Sequence, residues 1–379
     1  MITLNTHYAE LKDSYLFYRI AQKVSAYLRE HPDTHLYRMG IGDVSLPLCG
    51  AVIRALHEAV DDQADKARFH GYMPECGAPF LREAIADHYA RRGVTLAPDE
   101  VFVSSGASDE LGDILDLFDC SSTALVIEPA YPAYVDANVL AGRRILHLSS
   151  GEENGFLPEP DERLCADLIY ICSPNNPTGA VMRREDLEAI AEVVEQHDLF
   201  VLSDEIYSEL TYGEESHVSI ASLPGMKERT ITINGFSKSH AMTGWRLGYA
   251  CGPRLILDQM LKIHQFAIMC APTTSQYAAV DALKNGDEDV AMMREQYDGR
   301  RRYVLHRFEE MGLPCFEPHG AFYTFPCIRE FGMTSDEFAN ALLKDQKVAV
   351  VPGTAFGACG EGFLRISYAY SLDSLKTAL

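Results

Sequence analysis

Lys238 stands in the segment INGFSKSHAMTGWRLGY, residues 233–249, which contains few other charges. The lysine follows a β-like run at 230–233, Ser237 precedes it, and Arg246 comes eight residues later. A lysine amine can bond covalently to an aldehyde and can afterwards carry a proton as a base. A serine and an arginine close by can bind a small anion. The segment therefore predicts a reactive lysine beside an anion site.

Other residues able to do chemistry follow short apolar runs elsewhere in the chain. Asp204 ends the run LFVLSD, and Tyr207 comes three residues later. Asn176 lies in the proline-rich turn SPNNPTG, and the small-residue turn SSGAS occupies 104–108. These segments supply a carboxylate, a phenol, an amide and a second candidate anion site.

The elements that position these residues read as strands alternating with helices. Apolar β runs occur at 101–105, 124–128, 144–149, 168–173, 199–204, 230–234 and 247–252. Strands that are apolar throughout and separated by helices predict a mainly parallel seven-stranded sheet covered on both faces, an α/β fold. Ligands of such sheets bind beyond the carboxyl ends of the strands, which is where these functional segments lie.

A cofactor that needs a lysine amine, an acid facing a ring nitrogen, donors for a ring oxygen and a phosphate cup is pyridoxal 5'-phosphate. Lys238 would bond to its aldehyde and then move the proton, and Asp204 would keep the ring nitrogen protonated. Tyr207 and Asn176 would hydrogen-bond the ring oxygen. The phosphate would lie against the backbone N–H groups of Ala107 and Ser108, with Ser237 and Arg246.

Each part of this set also has an ordinary structural explanation. NNPTG is a common kind of turn, and Asp204 with Glu205 could form a solvated loop. Lys238 could be a surface lysine, and Arg246 could stack on Trp245. The joint occurrence of the parts, in order and at strand ends, favours the cofactor site.

Composition excludes several classes of function. Across 379 residues, 55 acidic against 33 basic residues give a formal charge of -22, which argues against nucleic-acid and anionic-membrane partners. No apolar run is long enough to span a membrane, and residues 1–17 do not read as a signal peptide. The ten scattered cysteines lack zinc spacing and predict free thiols in a cytoplasmic protein. The last residues, SLDSLKTAL, read as an unfinished helix.

The motifs SPNNPTG, SDEIYSEL, GFSKSHAMTGWRLGY and FLRISYA resemble those of fold-type I pyridoxal-phosphate aminotransferases of class I/II. The resemblance covers essentially the whole chain. It implies a homodimer with active sites shared between subunits, acting on an amino acid and a 2-oxo acid. It also implies a large cofactor domain, which we expect at 44–285, and a smaller α+β domain formed by 1–43 and 286–379.

The same resemblance implies further site residues. Arg365 would clamp the substrate α-carboxylate as a bidentate fork, and Gly42 would bring a backbone N–H near that carboxylate. Tyr131 would stack on the cofactor ring. Tyr72 would reach the phosphate of the other subunit's cofactor.

The N-terminal third is similar to LL-diaminopimelate aminotransferases, in segments such as DSYLFYRIAQKV, FHGYMPECG and EPAYPAYVDANVLAG. That family moves an amino group from glutamate to tetrahydrodipicolinate in lysine biosynthesis. The resemblance places Tyr15 and Glu75 at the distal end of the substrate, where an acid suits a distal ammonium. Two motifs depart from it: SGAS replaces DGAK, so Ser108 stands where that family has lysine, and DEIY replaces DAAY.

Several alternatives therefore stay open at this point. The substrate could be aspartate, alanine, an aromatic or another amino acid, and a C–S β-lyase would use the same lysine. A non-catalytic regulator of the same fold would need a fused DNA-binding domain, and the chain has no spare basic segment for one.

Overall fold

The structure is a computed structural model and describes residues 5–11, 16–159 and 165–379. Its helices are α1 (Leu16–Glu30), α2 (Gly50–Asp61), α3 (Pro79–Ala90), α4 (Ala107–Leu115), α5 (Pro132–Leu140), α6 (Arg184–Gln196), α7 (Phe236–Ser239), α8 (Arg254–Ala267), α9 (Thr273–Asn285), α10 (Asp287–Met311), α11 (Ser335–Ala341) and α12 (Leu372–Ala378). Its strands are β1 (Val101–Ser104), β2 (Thr123–Glu128), β3 (Arg144–Ser149), β4 (Leu168–Cys172), β5 (Phe200–Asp204), β6 (Thr230–Gly235), β7 (Gly248–Cys251), β8 (Tyr323–Thr324), β9 (Val351–Pro352) and β10 (Leu364–Ser367).

The first seven strands form one sheet in the order β1-β7-β6-β5-β4-β2-β3. Strands β6, β5, β4, β2 and β3 pair in parallel with their neighbours, and β7 runs antiparallel to both β1 and β6. The predicted mainly parallel seven-stranded sheet is therefore confirmed, and each strand lies on the expected apolar run.

Helices cover both faces of this sheet, which explains why central strands such as β4 and β5 are buried and mostly apolar, whereas the edge strand β3 is partly exposed. In β2, Leu125 and Ile127 pack with α6, while Ala124 and Val126 pack on the opposite face with α4, α5 and α8. Helices α2, α3 and α9 pack against the β1 and β7 end of the sheet. The cofactor segments at the strand ends are thus held by a core that is closed on both sides.

A smaller antiparallel sheet, in the order β8-β10-β9, forms the second unit of the chain together with α10 and α11. Helix α1 packs here, because Val24 contacts Leu343 and Ala349 and Lys23 donates to Asn340 at 3.1 Å. The N-terminal helix therefore lies with C-terminal elements. The domain boundaries 1–43 with 286–379 and 44–285 stay a prediction.

Two features bear on the compositional expectations. None of the helices in the described ranges has the length and apolar character that crossing a bilayer requires. All ten cysteines lie in the described ranges, and all are free thiols.

Candidate active site

A cavity of about 620 Å³ lies where the strand-end segments of the large sheet meet the smaller sheet. The sequence-predicted residues that line it are Gly42, Ala107, Ser108, Tyr131, Asn176, Asp204, Tyr207, Ser237, Lys238, Arg246 and Arg365. This volume is within the usual range for small-ligand sites. Residues separated by more than 300 positions in the chain are thus brought to one place.

Lys238 lies on the one-turn helix α7, directly after β6, and is partly buried in the cavity wall. Its Nζ donates a hydrogen bond of 2.6 Å to the carbonyl oxygen of Gly42 and lies 5.6 Å from the Phe322 ring centroid. Burial lowers the pKa of the lysine to about 8, an effect that the Asp43 carboxylate partly opposes. An amine with this pKa is neutral in roughly a tenth of molecules at pH 7, far more than an ordinary lysine, and only the neutral amine can act as a nucleophile or base.

Asp204 is the last residue of β5 and is buried. Its Oδ1 accepts from the backbone N–H of Ile206 at 3.1 Å, and its Oδ2 accepts from the hydroxyl of Tyr134 at 2.5 Å. Burial raises the pKa of this carboxyl group, and the Tyr134 hydrogen bond lowers it. The two donors fix the direction in which the carboxylate faces the cavity.

The anion end of the cavity is built on the first turn of α4. Gly106, the residue before the helix, has φ of +112°, and a Cβ there would lie 2.7 Å from Nη2 of Arg246. Glycine is therefore required for the arginine to approach the turn. The backbone N–H groups of Ala107 and Ser108 at the helix N-terminus form a favourable anion site with this guanidinium.

At the other end, Arg365 is buried on β10. Its Nη1 donates to Oδ1 of Asn176 at 2.8 Å, and its Nη2 donates to the carbonyl oxygen of Gly40 at 2.7 Å. The guanidinium carbon lies 4.4 Å from the centroid of the Tyr323 ring. These contacts hold a planar cation in one orientation, which suits recognition of a carboxylate.

Tyr207 is buried, and its hydroxyl is 2.8 Å from that of Tyr323. Burial raises the pKa of the Tyr207 phenol well above its ordinary value, so the group keeps its proton and can donate it in a hydrogen bond. A Cβ on Gly42 would lie 2.1 Å from the Tyr323 hydroxyl oxygen. The missing side chain at Gly42 thus makes room for the tyrosine pair.

Two described residues that the sequence predicts for the site, Tyr72 and Glu75, are not brought into this cavity by a single chain. Tyr72 is 85 % exposed and does not line the cavity. Glu75 is also exposed, and its Oε2 accepts from Nε2 of Gln265 at 2.5 Å. Tyr15 lies outside the described residues. Their assignment to the substrate or to the other subunit's cofactor stays a prediction.

The cavity residues that sequence reasoning missed include Tyr134, Tyr323 and Asp43. Tyr134 could have been found, because it stands one helical turn after Tyr131 in the quoted segment EPAYPAY. Tyr323 lies in GAFYTFP, and Asp43 follows Gly42. No pattern in the sequence shows that Tyr323 meets Tyr207, since the two are 116 positions apart.

The structure also explains the glutamate of the DEIY motif. Glu205 is buried, accepts from the hydroxyls of Ser219 at 2.6 Å and Tyr89 at 3.1 Å, and lies 3.0 Å from Nε2 of His217. Burial alone would raise its pKa, but His217 and the hydrogen bonds bring it below the ordinary value. Glu205 therefore faces away from the cavity and anchors the end of β5.

Comparison with known proteins agrees with this geometry. The family model for aminotransferase class I and II matches residues 34–379. The chain belongs to the class I and II aminotransferases. It is 44 % identical to an aspartate aminotransferase from Pyrococcus abyssi, over 81 % of this chain and 82 % of that one. It is 35 % identical to an LL-diaminopimelate aminotransferase from Agathobacter rectalis, over 100 % and 98 % of the two chains. The crystal structure of an aromatic aminotransferase from Pyrococcus horikoshii superposes with a TM-score of 0.86 and 40 % identity, over 94 % and 96 % of the two chains.

The aminotransferases of this family depend on pyridoxal phosphate, and the cavity fits that cofactor. A lysine amine, a buried carboxylate and a helix N-terminus with an arginine line one space, as the aldehyde, ring nitrogen and phosphate require. The protein is therefore a pyridoxal-phosphate-dependent aminotransferase. When bound, the cofactor supplies the carbon that holds the amino group and a ring that accepts electrons.

Proposed function

We propose that this aminotransferase exchanges amino groups between an amino acid with an apolar or aromatic side chain and a dicarboxylic partner such as aspartate or glutamate. This substrate class is supported by the composition of the cavity wall outside the residues assigned to the cofactor. Ile20 and Val24 on α1, with Ile41, give that wall an apolar character, and Arg38 adds a cation. An apolar side chain would contact the isoleucines and valine, and a second carboxylate would pair with Arg38.

The proposed roles of the site residues follow from their contacts. Lys238 bonds to the cofactor and carries the proton, as its lowered pKa supports. Asp204 faces the ring nitrogen, Tyr131 stacks on the ring, and Tyr207 and Asn176 donate to the ring oxygen. Arg365 binds the substrate α-carboxylate, since its guanidinium is already oriented by Asn176 and by the carbonyl oxygen of Gly40.

At the phosphate end, the proposed contacts are the N–H groups of Ala107 and Ser108 with Arg246 and Ser237. A helix N-terminus and a guanidinium suit a phosphate dianion. Gly42 contributes a backbone N–H near the substrate carboxylate.

We further propose that the enzyme is a cytoplasmic homodimer in which Tyr72 of one subunit reaches the cofactor phosphate of the other. The support for the dimer is a group of exposed apolar side chains, among them Phe69, Tyr72 and Phe266, which are 62 %, 85 % and 81 % exposed. The 71–75 segment that follows Phe69 contacts the 265–273 segment, since Thr273 donates to Gly71 and Gln265 to Glu75. Apolar surface of this kind marks interfaces. The free thiols support a reducing compartment.

LL-diaminopimelate is the second candidate substrate. It is favoured by the N-terminal likeness and by a relative of that activity that matches over the full chain. In this case Glu75 would come from the other subunit and meet the distal ammonium. Among the described residues, the acids lining the cavity are Asp43 and Asp204, so no other carboxylate of the same chain is placed for that role.

The deciding experiment is a panel of amino donors and 2-oxo acceptors with product masses recorded, in wild type and Lys238→Ala. Turnover by Lys238→Ala at the wild-type rate would contradict the proposed catalytic role. Thiol release from cystathionine in the same panel reports the C–S lyase alternative.

Two variants separate the substrate classes. Arg38→Gln should raise KM for aspartate and glutamate while leaving that for an aromatic donor near wild type. Glu75→Gln should harm LL-diaminopimelate far more than aspartate if the second candidate is correct, and equal losses for both would remove that candidate.

A further inference from the structure

A group of two carboxylates and one imidazole, in which Asp113 and His264 are buried and Asp109 is partly buried, lies directly behind the phosphate end of the cavity. Asp109 and Asp113 stand four residues apart on α4, and so project from the same face of that helix. His264 comes from the last turn of α8. Asp109 follows Ser108, so the group continues the helix turn that holds the anion site.

The separations between these side chains are too long for direct hydrogen bonds. Nδ1 of His264 lies 3.6 Å from Oδ2 of Asp109 and 4.0 Å from Oδ2 of Asp113. One ligand atom from each residue falls within 4.8 Å of the other two. Atoms spaced in this way can all lie about 2.1–2.5 Å from one central ion, the range of metal–nitrogen and metal–oxygen bonds.

Several polar atoms of this group make no hydrogen bond in the described structure despite their burial, although Oδ2 of Asp109 accepts from the backbone N–H of Ser105 at 3.0 Å. His264 is 0 % exposed, and neither of its ring nitrogens makes a hydrogen bond with the residues that the structure describes. Oδ2 of Asp113, a residue 2 % exposed, also accepts none within these ranges. Buried polar atoms nearly always have a partner, so these atoms indicate a ligand.

The chemistry of the group points to a cation. Carboxylate oxygens and imidazole nitrogens are the ligands that divalent metal ions take from proteins, and one such atom from each of the three residues lies within reach of the other two. A divalent cation between them would give the unpartnered atoms of His264 and Asp113 a partner and would compensate the carboxylates beside the anion site.

We propose that Asp109, Asp113 and His264 bind one divalent transition-metal ion. Imidazole and carboxylate ligands together match zinc or manganese better than calcium or magnesium, which take oxygen ligands. The ion would tie α4 to α8 and so hold the first turn of α4, on which the phosphate cup is built. It would have a structural role, since the cavity lining includes neither His264 nor Asp113.

The test uses the cofactor-bound enzyme, purified, treated with a chelator and dialysed free of metal. Zinc or manganese is then added while binding is followed by calorimetry and the melting temperature is recorded. We expect one ion per chain and a rise in melting temperature in wild type. Asp113→Asn and His264→Gln should lose both effects. Asp116→Asn, which removes an exposed carboxylate at the end of the same helix, should retain both.

Metal binding by the wild-type enzyme tests the proposed site even if a variant fails to fold. No heat of binding and no stabilisation of the wild type by either ion would overturn the proposal. So would equal binding by wild type and a folded Asp113→Asn variant. A melting temperature that follows pH and ignores metal would instead assign the group to a protonated His264 paired with the carboxylates.

Discussion

Tyr134→Phe tests how the cavity controls the charge of Asp204. The substitution removes a single hydroxyl, which donates to Oδ2 of the carboxylate at 2.5 Å. Both residues are buried, at 2 % and 7 % exposure, so water cannot easily replace the lost donor. The remaining donor to this carboxylate in the described structure is the N–H of Ile206.

The magnitude follows from this geometry. A hydrogen bond to a charged group contributes about 1.5–3 kcal/mol. One pKa unit corresponds to about 1.4 kcal/mol, so the loss should raise the pKa of Asp204 by about 1–2 units. The direction is fixed, because the tyrosine hydrogen bond lowers this pKa. A raised pKa means that the carboxylate becomes protonated at a higher pH.

The assay is kcat/KM against pH for a good amino donor. We expect the acid limb of the Tyr134→Phe profile to move upward by about 1–2 pH units. The KM for the amino donor at high pH should change little, because the Tyr134 hydroxyl contacts the Asp204 carboxylate, which is assigned to the cofactor ring nitrogen and not to the substrate. Cofactor affinity should fall, since a protonated Asp204 supports the ring nitrogen less well.

Tyr170→Phe is the matched control. The ring of Tyr170 stacks on that of Tyr134, with the two centroids 5.3 Å apart. The substitution therefore removes a buried tyrosine hydroxyl from the same cluster. We expect its acid limb to coincide with that of wild type. An unmoved limb in Tyr134→Phe, or an equal shift in Tyr170→Phe, would refute the assigned control of Asp204.

Three further predictions concern charge in and near the site. Asp43→Asn should lower the pKa of Lys238 below about 8, because the Asp43 carboxylate raises that pKa. The rate at which the cofactor-free enzyme takes up the cofactor, followed by absorbance, should therefore reach its maximum at a lower pH than in wild type. Arg365→Lys keeps the charge but loses the fork, so kcat/KM for carboxylic substrates should fall about 30-fold or more in steady-state assays, and an unchanged value would contradict the clamp. Glu205→Gln breaks a buried contact with His217 and should lower the free energy of unfolding in urea by about 2–4 kcal/mol, whereas a loss below about 0.5 kcal/mol would show that Glu205 is not an anchor.

The sheet and the cofactor end of the site were accessible to sequence reasoning for a physical reason. Parallel strands buried on both faces are apolar throughout, so they stand out as short runs, and functional residues must follow their carboxyl ends. Asp204 at the end of β5 and Lys238 just after β6 obey this rule. The antiparallel direction of β7 was not predictable, because an apolar run carries no information about strand direction.

Side-chain partners across long sequence distances were beyond reach. The hydroxyl of Tyr134 donates to Asp204, which lies 70 positions later in the chain. His264 lies near Asp109 because helices α8 and α4 pack together. Neither contact produces a periodic pattern in the amino-acid sequence from which it could be predicted. Tyr72 and Glu75 raise a different difficulty, because a role shared between subunits depends on a second chain.

The charge of the whole protein and the charge of its cavity have opposite signs. The chain carries -22, yet the described cavity wall holds Arg38, Lys238, Arg246 and Arg365 against Asp43 and Asp204. At physiological salt a charge is screened beyond about 8 Å, so a bound phosphate or carboxylate interacts with the wall rather than with the distant acidic surface. Burial makes Arg365, and to a lesser extent the partly buried Lys238, more effective than a surface lysine would be. The cationic wall thus allows an acidic protein to bind a phosphate-bearing cofactor and carboxylic substrates at one site.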